Sequence, residues 1–212
     1  MPPENAPTIF NKIFSEGFKM SSFIIIPMFV ILISTLLPQI EYKNNAWKQV
    51  LASPLTKGNI FAAKYINLHL FFLLFLVANH FLMVVAGVVL HFVHPSLKIL
   101  NQTVDTYSIF VNIVNTYTAL LAITAAQFWM GLRFKNFIAP LAIGISLWIM
   151  GSILVIQFDS KIAAYFPYSA HVYVSFPQFK SKINTVEWAS GLYTIVFLIL
   201  GFLDFKKRTV KS

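Results

Sequence analysis

Residues 65–97 read YINLHLFFLLFLVANHFLMVVAGVVLHFVHPSL, a run of 33 residues without an Asp, Glu, Lys or Arg. At 1.5 Å per residue it forms a helix of about 50 Å, well beyond a hydrocarbon core of roughly 30 Å. A helix that is apolar on every side belongs in lipid or in a large core. Four further charge-free runs follow the same logic, at 20–40, 106–132, 136–158 and 188–203. The last has 16 residues, about 24 Å, which places Glu187 or Asp204 at an interface. The fold class is therefore all-α: a polytopic helical membrane protein with five transmembrane helices.

Composition agrees with that reading. Of 212 residues, 58% are hydrophobic and 11% charged, where a soluble domain carries about 25% charge. Sixteen Lys and Arg against seven Asp and Glu give +9. Those bases sit between apolar runs rather than on one solvated face, so nucleic acid is not the expected partner. The absence of cysteine excludes disulfide frameworks and thiolate metal sites. Met1–Ser22 holds acids and prolines but no apolar core, unlike a secretory signal peptide.

Run 162–179, IAAYFPYSAHVYVSFPQF, is also charge-free. Pro167 and Pro177 interrupt it, and Tyr165, Tyr168, Ser169, His171 and Ser175 make it amphiphilic. It reads as an interfacial segment with aromatics at headgroup depth. Five spans then put Lys43, Lys48, Lys57, Lys64, Arg133, Lys135, Lys206, Lys207, Arg208 and Lys211 on one side, ten of the sixteen bases. Lys12, Lys19, Lys98, Lys161, Lys180 and Lys182 fall on the other. The ten-base side is expected to be cytoplasmic, with the N-terminus outside and the C-terminus inside. The chain reads as one membrane domain, 1–212, with an external segment 1–20, a cytoplasmic loop 41–64 and an external loop 159–187.

That cytoplasmic loop, EYKNNAWKQVLASPLTKGNIFAAK, contains two helical pieces. From Glu41 to Ala52, Trp47, Val50 and Leu51 fall on one face at i, i+3 and i+4. Ser53–Pro54 reads as an N-cap with Pro at N1, opening the next helix. The amphipathic rod before the corner suits a lipid surface or the groove of a soluble partner equally.

Glu41, the Trp47–Lys48 pair, Pro54, Lys57 and Lys64 together resemble the loop of ABC transporter permeases of the type-2 exporter class. Phe128–Gly144, FWMGLRFKNFIAPLAIG, is similar to the middle helix–turn–helix of the lantibiotic-immunity branch. The resemblance implies that Glu41–Ala52 is a coupling helix seated on a separate ABC ATPase subunit. It also implies a second permease copy or paralogue, antimicrobial peptide as cargo, and a bacterial cytoplasmic (inner) membrane. Family permeases have six spans; this sequence is expected to lack the first.

The remaining polar residues offer a substrate path or a site. His69, His80 and His91 recur every eleven residues and share a helix face, with His94 one turn beyond His91. Three turns separate successive members, so no single ion takes three of them, and packing is the commoner role; His80 is the intramembrane candidate for function. Asn112, Asn115, Thr116, Thr118, Thr124 and Gln127 make the third span polar. His80, Asn112, Asn115, Thr116 and Gln127 are the candidate substrate path, against interhelical hydrogen-bonding as the plainer role. Gly144, Gly151 and Pro140 suggest close helix packing.

There is no GxxxxGK[ST] phosphate loop, no HExxH and no GxSxG, so no catalytic residue and no cofactor is assigned to this chain. ATP and Mg would be bound by the partner ATPase. The expected function is that of the membrane-spanning permease subunit of an ATP-driven exporter, in contact with membrane lipid. The rival is an intramembrane histidine-based redox or metal-binding protein, and a passive scaffold subunit is a third possibility.

Overall fold

The computed structural model describes residues 9–43, 54–97, 99 and 105–207, without the side chains of 41–43. Seven α-helices are found among the described residues: α1 (Ile9–Met20), α2 (Ile26–Lys43), α3 (Lys57–Val93), α4 (Thr106–Arg133), α5 (Ile138–Ile156), α6 (Ala170–Ser175) and α7 (Ile183–Lys206). A π-helical turn, Ser21–Ile25, makes α1 and α2 continuous, and no strand occurs among the described residues. Among the described residues, five segments are long and apolar enough to cross a membrane: Ile9–Ile40, Lys57–Val93, Thr106–Arg133, Ile138–Ile156 and Pro177–Lys206.

Prolines explain the first helix's irregularities. A proline in a helix has no N–H and its ring crowds the carbonyl four residues earlier. Pro27 thereby releases the carbonyl of Phe23 within the π turn, and Trp148 Nε1 donates to that oxygen at 3.3 Å. Pro38 does the same for Ser34, and Gly131 of α4 packs against the freed oxygen: a Cβ at 131 would lie 2.9 Å from it. Only a glycine permits that approach.

Helix α3 starts later than the Ser53–Pro54 signal predicts. Its first residue is Lys57, and Thr56 is the N-cap, its hydroxyl accepting from Asn59 N at 3.2 Å. Pro54 lies in an exposed bend before that cap; Ser53 lies outside the described residues. Thr56 wins because its hydroxyl meets an otherwise unpaired first-turn amide. Asp105 caps α4 likewise, accepting from Ser108 N at 3.0 Å. Ser108 Oγ also donates to that carboxyl at 2.6 Å, and the hydroxyl and then the amide hold it below the usual carboxylate range.

Helix α4 is the centre of the bundle. Its Ala119, Ala122, Ala125 and Ala126 are buried, and small side chains let neighbouring backbones approach closely. Ser190 Oγ accepts from Ala122 N at 3.0 Å, and Thr118 donates to Glu187 at 2.8 Å. Such interhelical bonds contribute about 0.6 kcal/mol each in a membrane. The fifth span is longer than its charge-free run: α7 has 24 residues, about 36 Å. It extends past Glu187 and Asp204 because α4 supplies a partner for each. Leu74, Phe81, Leu192 and Ile195 are exposed on α3 and α7, where hydrocarbon takes the place of a core.

The segment 162–179 forms no span of its own, and much of it is buried within the bundle. Two 3-10 turns (Ala163–Tyr165 and Pro167–Ser169) and α6 fold back into the bundle, burying Tyr168, Ser169 and every residue of α6. Of its aromatic residues Tyr165 stays exposed. Irregular backbone is tolerated where protein satisfies its polar groups; here Ser169 Oγ donates to Phe166 O at 2.7 Å and Ser175 Oγ to His171 O at 2.6 Å.

Candidate functional site

The end of the bundle that carries Lys57 is where the 41–64 loop leaves and returns. On the entering side, Pro38 is followed by Gln39, whose Nε2 donates to Gly131 O at 3.1 Å and Phe134 O at 2.6 Å. Those are carbonyls at the C-terminus of α4, which the helix itself leaves unpaired. Glu41 continues α2 as helical backbone. Trp47 and Lys48 lie outside the described residues. On the returning side, Lys57 Nζ donates to Lys206 O, the last residue of α7, at 2.8 Å. Lys64 lines a small cleft with Leu37, Pro38, Asn67 and Phe128.

A second polar group holds the same end together. Asp204 Oδ2 accepts from Trp129 Nε1 at 2.8 Å and from Arg133 Nη1 at 2.7 Å. The guanidinium also lies 5.8 Å from the Trp129 ring centroid, within cation–π range. The structure thus brings Lys57, Arg133 and Lys206 to one end. Lys19, over the Phe176 ring at 5.5 Å, and Lys180, 3.4 Å from Asn112 Oδ1, occupy the other.

The candidate path residues do not form one constellation. Asn112 and Thr116 adjoin on one turn, Thr116 Oγ1 donating to Asn112 O at 2.6 Å, and the carbonyl of Asn115 accepts from Thr118 at 3.2 Å. Gln127 lies eleven residues past Thr116, about 16 Å along α4. It is fully buried, donates to Tyr168 Oη at 3.0 Å and accepts from Thr35 Oγ1 at 3.3 Å. His80 is buried on α3 with Nδ1 2.7 Å from Leu76 O, packed against the rings of Phe14 and Phe18. His69 meets Tyr117 Oη at 2.9 Å. Among the described residues no three His, Asp or Glu side chains form a metal-sized group.

Tyr168 and Thr35 are partners that sequence pattern gave no reason to join to Gln127, because they come from three separate segments. Gln39 carried a signal, a polar residue beside a proline at a span's end. Asp204 carried one too, as an acid that the topology places on the same side as Arg133. At the opposite end, Leu154, Ser160, Ile162, Tyr165, Phe166 and Tyr193 enclose an open cavity of about 300 Å³.

A family model described as ABC-2 family transporter protein matches residues 4–151. The chain belongs to that family. This ABC-2 family transporter protein is accordingly a multi-pass membrane permease, the transport component of an ABC exporter and not itself its ATPase. Members of the family work with an ABC ATPase. No curated protein and no solved structure matches the chain. The match contains both flanks of the 41–64 loop, all of α4, and the Thr35–Gln127 and Gly144 contacts; Tyr168, α6 and α7 follow it.

Proposed function

We propose that this permease exports an amphiphilic cargo, an antimicrobial peptide in the manner of the lantibiotic-immunity branch, using ATP hydrolysed by a separate subunit. The 41–64 loop is cytoplasmic and seats on that ATPase through Trp47, with Glu41, Lys48, Pro54, Lys57 and Lys64 around it. A second permease copy or a paralogue completes the transporter, in a bacterial inner membrane with the N-terminus outside. ATP-driven closure of the ATPase pair moves the loops, and the spans repack between inward- and outward-facing states.

The observation that carries this reading is the common end of Lys57, Arg133 and Lys206. Bases gathered at one end of a helical bundle favour that end on the cytoplasmic side, where ATP is found. The loop whose motif resembles a coupling helix leaves and returns there.

The test co-expresses the permease with a tagged ABC ATPase encoded in the same genome. Trp47→Ala removes an aromatic anchor, and its loss is expected to weaken ATPase association by about 2 kcal/mol. Glu41→Gln is expected to reduce transport more than membrane level, since the residue lies at the loop's mouth. Full ATPase recovery and full transport in both variants, at matched membrane levels, would show the loop to be a lipid-surface helix.

A further inference from the structure

We propose that Lys57 and Phe61 latch the exit of the 41–64 loop onto the last helix, so that the base of α3 and the end of α7 move as one body. The inference rests on the coupling role proposed above and adds which helix receives the displacement. Lys57 is the first residue of α3, and its ammonium reaches across 149 residues of sequence to the carbonyl of Lys206. That carbonyl belongs to the last turn of α7, where helical partners are missing and the helix dipole is negative.

One turn further, Phe61 is buried among aromatic rings. Its centroid lies 5.3 Å from Phe128, 5.6 Å from Phe202 and 5.8 Å from Phe205, all at tilted or edge angles. Gly201 lets α7 approach: a Cβ there would lie 3.4 Å from both Phe61 Cζ and Trp129 Cβ. Trp129 and Arg133 close the block by donating to Asp204, three residues along α7. Interlocked rings at interior density barely compress and so pass displacement on. On the entering side, Gln39 attaches α2 to the end of α4 through two hydrogen bonds of 2.6 and 3.1 Å. Lys57 and Phe61 are positioning residues in this scheme; they touch no cargo.

The experiment exploits the cysteine-free chain. Spin labels at positions 157 and 207, both exposed and at opposite ends of the bundle, report distance in the complex with the co-purifying ATPase, with and without ATP and vanadate. The wild type is expected to shift its distance distribution on trapping, and Phe61→Ala to lose that shift while keeping the ATPase bound. A second readout needs no ATPase. Lys57→Met, which keeps the stem and removes the donor, is expected to speed amide exchange in residues 199–206 about tenfold, the scale of one charge-assisted hydrogen bond. Exchange in 138–156 should be unchanged. A normal shift in Phe61→Ala, or exchange changes confined to 57–62, would overturn the latch. If the wild type captures no ATPase, the coupling reading fails by itself, and amide exchange still decides whether the two helix ends are joined.

Discussion

His171 lies between the rings of Phe23 and Trp148, 5.4 Å from each centroid, with Nε2 2.8 Å from Ser152 Oγ. The residue is wholly buried, and burial pushes its imidazole from 6.5 down to about 3. Above pH 6.5 both folded and unfolded chains keep it neutral, and it adds no pH dependence. Between 6.5 and 3 the unfolded chain takes up a proton that the folded chain refuses. Stability therefore falls as pH is lowered through that window, by up to about 1.4 kcal/mol per pH unit. Thermal unfolding in detergent from pH 7 to 4 should show this slope, and His171→Asn should flatten it. An unchanged slope in the variant would mean another group titrates. The sequence shows a histidine in an amphiphilic run; the two rings that desolvate it come from residues 23 and 148, far from it in the chain.

At the scale of elements, the folded-back segment is held by glycine. A Cβ at Gly151 of α5 would lie 2.2 Å from Tyr168 O and 2.5 Å from its carbonyl carbon, backbone atoms that cannot swing aside. Gly151→Ala should lower stability by about 1–3 kcal/mol through overpacking. Gly191→Ala is the control. Nothing lies within 4 Å of an added Cβ there, and a helical alanine gains up to about 1 kcal/mol over glycine. Melting temperatures of the two variants in the same detergent compare them directly. If Gly151→Ala melts like the wild type, the segment does not depend on this seat. Gly144 works in the same way beneath Gln127, whose Nε2 would meet an added Cβ. The seven-residue spacing of these glycines made a close-packing strip legible. That the strip seats an irregular segment as well as a helix was not legible, because the contacting atoms are backbone and carry no residue signature.

For the whole molecule, the bases divide by end. Lys57, Arg133 and Lys206 share one end, while Lys19 and Lys180 share the other. With the ten-to-six division in sequence, this predicts positions 57 and 208 in the cytoplasm and 98 and 180 outside. Single cysteines at these four positions, probed in intact cells with an impermeant thiol reagent, report it against a cysteine-free background. Labelling at 98 and 180 alone is expected; labelling at 57 would invert the topology. The division arises because charged residues are expensive in hydrocarbon and collect where spans end.

Sequence by itself determined the all-α class and the five spans, and it divides the bases between the two ends that the spans leave. Each follows from local quantities: run length against bilayer thickness, and the cost of charge in lipid. The motif of Glu41, Trp47, Lys48, Pro54, Lys57 and Lys64 was likewise a matter of spacing along one loop. Tertiary structure alone decided that residues 162–179 fold inward, that Thr56 rather than Ser53–Pro54 opens α3, and that Gln127 meets Thr35 and Tyr168. It alone brought Lys57 and Phe61 to the end of α7. These are pairings between distant segments, chosen by shape and by the need to satisfy each buried polar group, and neither constraint leaves a periodic trace in the chain.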